Sequence, residues 1–247
     1  MSLLVHPHAV NAKGVALDIT PESAGWTYVG FRVLKLAAGQ THDGFEDGRE
    51  ACLVILSGTV DVSAGALHFP TLGGRASVFE GPATSLYLPA NTAYRITATN
   101  DAEIAVCTAP GTGAGQPRVI APGDVGLETR GSGTNKRFVR NILDDKAEAE
   151  SLLVVEVITP GGHWSSYPPH KHDRDAFPTE TFLEETYYHR LSPPQGFAFQ
   201  RVYTDDRTLD EAIVVEDGSV VMVPRGYHPT AAIHGYDLYY LNVMAGP

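Results

Sequence analysis

The sequence predicts an all-β fold made of two tandem β-barrel units. Short runs of β-type residues recur along the whole chain between glycine, proline and asparagine residues, a spacing typical of sandwiches and barrels. Helical patterning is scarce, and the best helix candidate is 141–151, with Asp144 and Asp145 near its N-terminus. Residues 110–136 are rich in glycine, threonine and proline, which favours a connection between two units.

The predicted strands fall into two groups. The first group comprises residues 27–36, 52–57, 59–63, 85–88, 94–99 and 103–108. The second group comprises residues 152–159, 185–189, 196–203, 212–215, 219–223, 231–233 and 238–243. Both halves contain a glycine, strand, proline and turn in similar order, as two copies of one barrel unit would. We therefore expect an N-terminal barrel over residues 1–115 and a C-terminal barrel over residues 116–247.

The composition indicates a folded globular protein that does not bind nucleic acid. The 247 residues are 43% hydrophobic and 19% charged, enough for full cores in one large or two ordinary domains. The formal net charge is −11, and the chain lacks the concentrated basic stretch that polyanion binding requires. A small anionic substrate is compatible with this charge, because one or two arginines can hold a carboxylate.

The sequence also bears on location and redox state. Its N-terminus has no cationic segment followed by an apolar run, and no stretch reaches the roughly 18 apolar residues of a membrane helix. We therefore expect a cytoplasmic protein without a membrane partner. Cys52 and Cys107 lie in apolar strand-like runs without a CxxC pattern, so we expect buried, reduced thiols.

The residues with the clearest chemistry are histidines and glutamates in the second half. His170 and His172 are two apart, and in a strand their imidazoles would project to the same face. The pair Glu184 and Glu185 opens a later strand-forming run, and His228 follows a Pro-Arg-Gly turn. Two neighbouring imidazoles, one carboxylate and one distant imidazole predict a metal site with three nitrogens and one oxygen.

Two of the ligand positions leave alternatives open. Glu184 and Glu185 point to opposite faces of any strand, so only one of them can enter the barrel. Glu180 is a further candidate for the carboxylate, and His234 competes with His228 for the last histidine. Such a site suits zinc, and also manganese, iron or nickel, because nitrogen-rich sites discriminate poorly among these metals.

These motifs resemble the two-part signature of the cupin superfamily. There, an HxH pair and a glutamate come from the first motif and one histidine from the second. The stretches SSYPPHKHD, FLEETYYHRL and HGYDLYYLNVMAGP resemble, more specifically, the bicupin 5-deoxy-glucuronate isomerases of myo-inositol catabolism, which are related to the 5-keto-4-deoxyuronate isomerases of pectin breakdown. The resemblance spans nearly the whole chain and is strongest from Gly161 onward. Two departures are a longer gap between His172 and the glutamate, and one residue instead of two between Gly226 and His228.

The resemblance implies a bicupin whose C-terminal barrel carries one divalent metal per chain, usually zinc. Alignment with the pectin-pathway isomerases favours Glu185 as the carboxylate ligand. In the first barrel, His42 stands alone where an HxH would be needed, and Tyr94 stands where the second motif would place a histidine. The resemblance therefore implies that the first barrel has lost its metal.

The resemblance further implies an aldose–ketose isomerase, an intramolecular oxidoreductase that converts 5-deoxy-D-glucuronate to 5-dehydro-2-deoxy-D-gluconate. Candidates for the catalytic groups are His189, which shares the parity of Glu185, and Tyr188. Candidates for holding the substrate carboxylate are Lys171, Arg190 and Arg225.

Two other functions fit a cupin site of this kind. One is a metal-dependent dioxygenase, and the other is a bicupin that binds a sugar acid without turning it over. In either case the partner would be a small molecule. We also expect a homo-oligomer, since cupins commonly associate through barrel edges and exposed strands are best covered.

Overall fold

The computed structural model describes residues 2–247 and confirms the all-β fold. The strands, in chain order, are β1 (Leu4–Val5), β2 (Val15–Ile19), β3 (Gly30–Leu36), β4 (Thr41–Gly44), β5 (Arg49–Ser57), β6 (Thr59–Ala64), β7 (Leu67–Gly73), β8 (Ser85–Leu88), β9 (Tyr94–Ala98), β10 (Ala102–Pro110), β11 (Arg118–Ile120), β12 (Gly126–Arg130), β13 (Arg137–Leu143), β14 (Leu153–Thr159), β15 (Trp164–Ser165), β16 (Glu184–Ser192), β17 (Phe197–Tyr203), β18 (Asp210–Glu216), β19 (Val220–Val223), β20 (Thr230–Ala232) and β21 (Asp237–Ala245). The helical elements are α1 (Pro21–Ala24) and a 3₁₀ helix (Gly133–Asn135). Within residues 2–247, no helix is long and apolar enough to cross a membrane.

The described chain divides into two compact units. The N-terminal unit comprises residues 7–125 and 142–154, and the C-terminal unit comprises residues 2–6, 126–141 and 155–247. The two predicted domains, 1–115 and 116–247, stay a prediction, and the compact units differ from them by the segments 2–6, 116–125 and 142–154. Part of the difference arises because β1 pairs with β19 and so places the first strand in the C-terminal unit.

The N-terminal unit contains two antiparallel sheets around an apolar core. The larger sheet has the order β11-β8-β5-β10-β3-β2, and the smaller has the order β4-β9-β6-β7. Alternate residues of β5, such as Leu53 and Ile55, pack with Val62 and Ile96 of the smaller sheet. Burial of these faces is the main stabilising contribution to the unit.

Two polar side chains of this unit bear on the first-barrel motif. His42 is buried, and its Nδ1 donates to the backbone oxygen of Lys13 at 2.9 Å. Tyr94 is also buried, and its hydroxyl donates to Glu46 at 3.0 Å. Both residues are thus held by hydrogen bonds within the N-terminal unit.

The C-terminal unit has a seven-stranded sheet of order β1-β19-β16-β21-β14-β13-β12 and a four-stranded sheet of order β15-β20-β17-β18. Tyr187 and Leu191 of β16 belong to the core between these sheets. Because side chains alternate along a strand, Glu185 and His189 point to the same inner face. The register of β16 therefore determines which polar groups enter the barrel.

The prediction of a helix over residues 141–151 is wrong. Residues 141–143 end strand β13, and Asp144 then accepts a hydrogen bond from the backbone of Lys146 at 3.0 Å in a turn. The backbone amides of residues 150, 151 and 152 donate to the buried Glu50 carboxylate at 2.9, 2.7 and 2.6 Å. These amides bind a side chain distant in sequence in place of the carbonyls of a helix.

The stretch 110–136 is not only a connection. It contains β11 and β12, and β12 pairs with β13 across a turn that includes the 3₁₀ helix. Cys52 and Cys107, directly opposite each other on β5 and β10, are buried and free, as the sequence predicts.

Candidate metal centre

Three histidine side chains converge in the C-terminal unit. The ligand nitrogens of His170, His172 and His228 all lie within 4.8 Å of one another. Their ring centroids are separated by 5.1 Å, 4.8 Å and 5.5 Å for the pairs 170–172, 170–228 and 172–228. This arrangement brings together the HxH pair and the distant histidine that the sequence nominated.

His170 and His172 do not lie on a strand, contrary to the geometry expected from their spacing. Two prolines precede the pair and cannot donate to a ladder, so the backbone there remains irregular. The segment is instead held by two hydrogen bonds: Leu183 N donates to His172 O at 3.1 Å, and Gly226 N donates to Asp173 Oδ1 at 2.6 Å. The second bond connects the HxH segment directly to the turn that precedes His228.

The turn before His228 requires a glycine. Gly226 has a φ of +90°, and a Cβ at this position would lie 2.5 Å from the backbone oxygen of Tyr203. His228 Nδ1 lies 2.9 Å from Gly226 O. Because a carbonyl only accepts, Nδ1 carries the proton and the lone pair of Nε2 is available to a ligand.

Glu185 is the carboxylate that reaches the histidines. Its Oε1 accepts a hydrogen bond from Asn242 Nδ2 at 2.7 Å, and its Oε2 lies 3.2 Å from His228 Nε2. Glu184 is also buried, but strand alternation directs it to the opposite face of β16. The Glu180 carboxylate is occupied by the backbone amide of Asp173 and by Arg174, at 2.7 and 3.0 Å.

The donor set fits a divalent metal. Glu185 Oε2 and His228 Nε2 are buried and make no hydrogen bond within the described chain. Buried polar atoms without partners are costly, and a cation between them would satisfy both. Three imidazole nitrogens and one carboxylate oxygen are ligands typical of zinc and neighbouring transition metals.

The protonation of these groups also favours metal binding. Burial lowers the pKa of His170, His172 and His228, so their imidazoles are neutral at neutral pH. Burial raises the pKa of Glu185, and the positive charge of a metal would counteract this increase.

A cavity of about 180 Å³ opens beside the ligands. Its other polar lining residues are Arg130, Arg137, Ser166, Tyr187, Tyr240 and Asn242. The cavity is smaller than the roughly 300–1,000 Å³ of pockets for drug-sized ligands, and therefore suits a small polar molecule.

Two tyrosines line this cavity, and their hydroxyls have defined partners. Tyr187 Oη lies 3.0 Å from Ser166 Oγ, and Tyr240 Oη lies 2.6 Å from Ser165 Oγ. Burial raises the pKa of both phenols, so both stay protonated at neutral pH. They can therefore donate hydrogen bonds to a bound ligand.

The two catalytic candidates from the sequence do not line the cavity. His189 has the expected parity, but it is fully buried and its Nε2 bonds to Gln200 Oε1 at 3.0 Å. Tyr187 precedes it on the same face, stacks against it at 6.0 Å and occupies the cavity wall instead. Tyr188 has the opposite parity and is buried on the other face of β16.

The three predicted carboxylate holders also lie outside the cavity lining. Lys171 forms an ion pair with Asp205. Arg190 is on the outer face of β16 and forms an ion pair with Asp217 at 3.0 Å. Arg225 lines a separate surface depression with Asp173, Thr204 and neighbouring aspartates. Each was proposed because it is close in sequence to a ligand. Strand alternation directs Arg190 to the other face of β16, and Lys171 and Arg225 lie in irregular segments outside the cavity lining.

Sequence reasoning missed Arg130, Arg137 and Asn242. The two arginines flank the turn between β12 and β13. The glycine-rich composition of this segment indicated a linker instead of a hairpin. The symmetric placement of the arginines about that turn was the available signal for a hairpin. Asn242 is 57 residues from Glu185 in the chain, and no local pattern connects the two.

Comparison with known proteins adds a family relationship. A model of the KduI/IolB family matches residues 3–247. The 5-deoxy-glucuronate isomerase of Geobacillus kaustophilus (strain HTA426) is 54% identical over 249 residues, covering 100% of this chain and 90% of its own. The enzyme of the same name from Bacillus subtilis (strain 168) is 49% identical over 240 residues, covering 96% of this chain and 89% of its own.

Solved structures agree with this relationship. The crystal structure of an IolB-like protein from Salmonella typhimurium LT2 has a TM-score of 0.97 at 53% identity, covering 100% of this chain and 94% of its own. An oxalate decarboxylase from Lactobacillus farciminis, in complex with formate, has a TM-score of 0.71 at 14% identity, covering 100% of this chain and 87% of its own. The second likeness shows the shared cupin-type fold alone.

Proposed function

The chain belongs to the KduI/IolB family and is an isomerase, and from this premise we propose that it converts 5-deoxy-D-glucuronate to 5-dehydro-2-deoxy-D-gluconate with one bound divalent metal. Relatives about half identical over nearly the whole chain carry the name 5-deoxy-glucuronate isomerase. The observation that carries the proposal is the convergence of three histidines with the unpaired Glu185 oxygen, beside a small cavity that His170, His172 and Glu185 line.

His170, His172, Glu185 and His228 would hold the metal, with zinc as the proposed ion. When bound, such a metal supplies Lewis acidity toward the carbonyl and the neighbouring hydroxyl of an aldose. Asn242 holds one oxygen of Glu185, and Gly226 O holds the Nδ1 proton of His228. These two hydrogen bonds orient the ligand atoms before any metal binds.

The remaining cavity groups would bind the sugar and exchange protons with its oxygens. In this isomerisation one hydrogen leaves the carbon bearing the hydroxyl and is added to the aldehyde carbon, while the hydroxyl proton moves to the former carbonyl oxygen. The protonated hydroxyls of Tyr187 and Tyr240, which line the cavity, would donate to substrate oxygens and exchange the hydroxyl proton. The carbon-bound hydrogen moves either as a proton through a base or as a hydride, which needs no base.

An anaerobic assay with 5-deoxy-D-glucuronate tests this function. We expect the metal-loaded protein to convert aldehyde to ketone, followed by NMR in deuterated water, and to lose turnover on chelation. Deuterium on carbon in the product would indicate the enediol route, and its absence would indicate hydride transfer. Binding without turnover would support a sugar-acid-binding protein, and turnover only with oxygen would support a dioxygenase; either result would overturn the proposal.

Three accompanying proposals concern the surroundings of the enzyme. We propose that its partner is a small-molecule sugar acid, that it forms a homo-oligomer and that it is located in the cytoplasm. Light scattering of the purified protein tests the second of these.

A further inference from the structure

We propose that Arg137, with Arg130 directly opposite it, forms the subsite that binds the carboxylate of the sugar acid. This inference rests on the proposed function, because that function requires an anionic substrate. It assigns the carboxylate to a hairpin remote in sequence from the metal ligands.

The first observation is the cross-strand register of two like charges. Arg130 and Arg137 are paired residues of the antiparallel strands β12 and β13 and line the same cavity. Like charges directly opposite each other are destabilising, and an anion between them would offset the repulsion. Arg130 is partly neutralised by Glu128, whose Oε2 lies 2.8 Å from its Nε.

Arg137, by contrast, forms no ion pair with any of residues 2–247. Its Nη1 donates to the backbone oxygens of Asn135 and Tyr167 at 3.1 and 3.2 Å. These two bonds fix the guanidinium and leave further N–H groups of its planar fork for a ligand. A fixed guanidinium with open donors is well suited to bind a carboxylate.

Arg137 also acts on the metal-binding side of the cavity. Tyr167, whose carbonyl it holds, lies three residues before His170. Arg137 and His170 both line this cavity. One cavity therefore contains a cationic group and a candidate metal centre. A sugar acid presents the matching groups, a carboxylate and an aldehyde at opposite ends of its carbon chain.

Two of the competing cations are already neutralised, and Arg225 lines a separate depression. Lys171 and Arg190 are paired with Asp205 and Asp217, and neither lines the cavity. Binding a substrate through either would require breaking an existing ion pair.

The test compares the binding of an acid and its amide. The probes are D-glucuronate and D-glucuronamide, titrated by calorimetry into the metal-loaded protein, with metal content and melting temperature measured in each variant. The variants are Arg137→Met, which removes the charge at similar length, and Arg137→Lys, which keeps a charge but not the fork. The matched control is Arg201→Met, an exposed arginine of the same unit that is paired with Asp210.

We expect the unmodified protein and Arg201→Met to prefer the acid. Arg137→Met should reduce this preference roughly 10- to 100-fold, as expected for loss of a charged hydrogen-bond partner, and Arg137→Lys should reduce it less. An unchanged preference in Arg137→Met with normal metal content, or no preference in the unmodified protein, would overturn the subsite.

The outcomes for the subsite and for the proposed function are separable. An arginine-dependent acid preference without turnover of 5-deoxy-D-glucuronate would support the subsite and refute the reaction. Turnover combined with an acid preference that does not depend on Arg137 would support the reaction and refute the subsite.

Discussion

Glu185 Oε2 and His228 Nε2 lie 3.2 Å apart, both buried, and neither makes a hydrogen bond within residues 2–247. The other atom of each side chain is firmly held, by Asn242 and by Gly226 O respectively. The two groups are therefore oriented toward one another by bonds that leave their ligand atoms free. This arrangement is expected of a preorganised metal site.

Replacing Glu184 and Glu185 one at a time should show which of the two glutamates binds the metal. Glu185→Gln removes the charged oxygen beside His228, so we expect loss of bound metal and of activity together, as for His170→Ala and His172→Ala. Glu184→Gln changes the opposite face of β16 and should retain the metal. Metal content by mass spectrometry of native protein is the measurement. The reverse order of metal loss would transfer the ligand role to Glu184.

Two glycines with nearly the same backbone conformation test the turn before His228. Gly226 and Gly235 have φ values of +90° and +91°, but only at Gly226 would a Cβ meet a backbone oxygen, at 2.5 Å. Alanine at either position should cost roughly 1 kcal/mol or more of folding free energy from backbone strain. Only Gly226→Ala should also displace His228 and weaken metal binding. Equal metal affinity in the two variants would argue against this role of the turn.

Removal of single hydroxyls from β21 should distinguish a catalytic from a structural tyrosine. Tyr240 faces the cavity, whereas Tyr239 faces away and donates to Glu156 at 2.8 Å. We expect Tyr240→Phe to lower kcat roughly 100-fold, as for loss of a preorganised donor. Tyr239→Phe should reduce thermal stability and leave kcat unchanged. Steady-state kinetics on folded variants checks this, and comparable kcat values for both would remove Tyr240 from the reaction.

His189 should contribute to acid sensitivity rather than to catalysis. Burial lowers its pKa from 6.5 to about 4 in the folded protein. The unfolded chain therefore binds more protons than the folded chain between these values, so stability falls as the pH decreases from about 6.5 to about 4. Over this window the loss should amount to about 3 kcal/mol relative to His189→Gln.

Denaturant unfolding of both proteins across this pH range measures the difference. The other buried histidines and Glu185 are common to both proteins, so the difference between the two curves isolates His189. Parallel curves would show that its pKa is not lowered. A large drop in kcat for His189→Gln at neutral pH, with stability maintained, would restore the catalytic role predicted from the sequence.

Local patterns in the sequence were sufficient for the fold class and for the identity of the metal-ligand candidates. The period of two along β16 places Glu185 and Glu184 on opposite faces whatever the rest of the chain does, and the HxH spacing keeps two imidazoles close. The Gly226 turn likewise has a local preference for glycine, because its φ of +90° is rarely adopted by residues with a side chain.

The tertiary structure decided which other groups share the cavity with those ligands. Arg137 and Asn242 reach it through the pairing of strands distant in sequence, and Lys171, Arg190 and Arg225 are turned away from it although they lie near ligands in the chain. The reason is physical: side chains alternate between faces along a strand, as for Arg190 on β16, whereas contacts within a barrel depend on the register between strands. The sequence by itself thus determined the barrel type and the candidate metal ligands. Only the fold determined that Arg130, Arg137, Tyr187 and Tyr240 line the cavity beside those ligands.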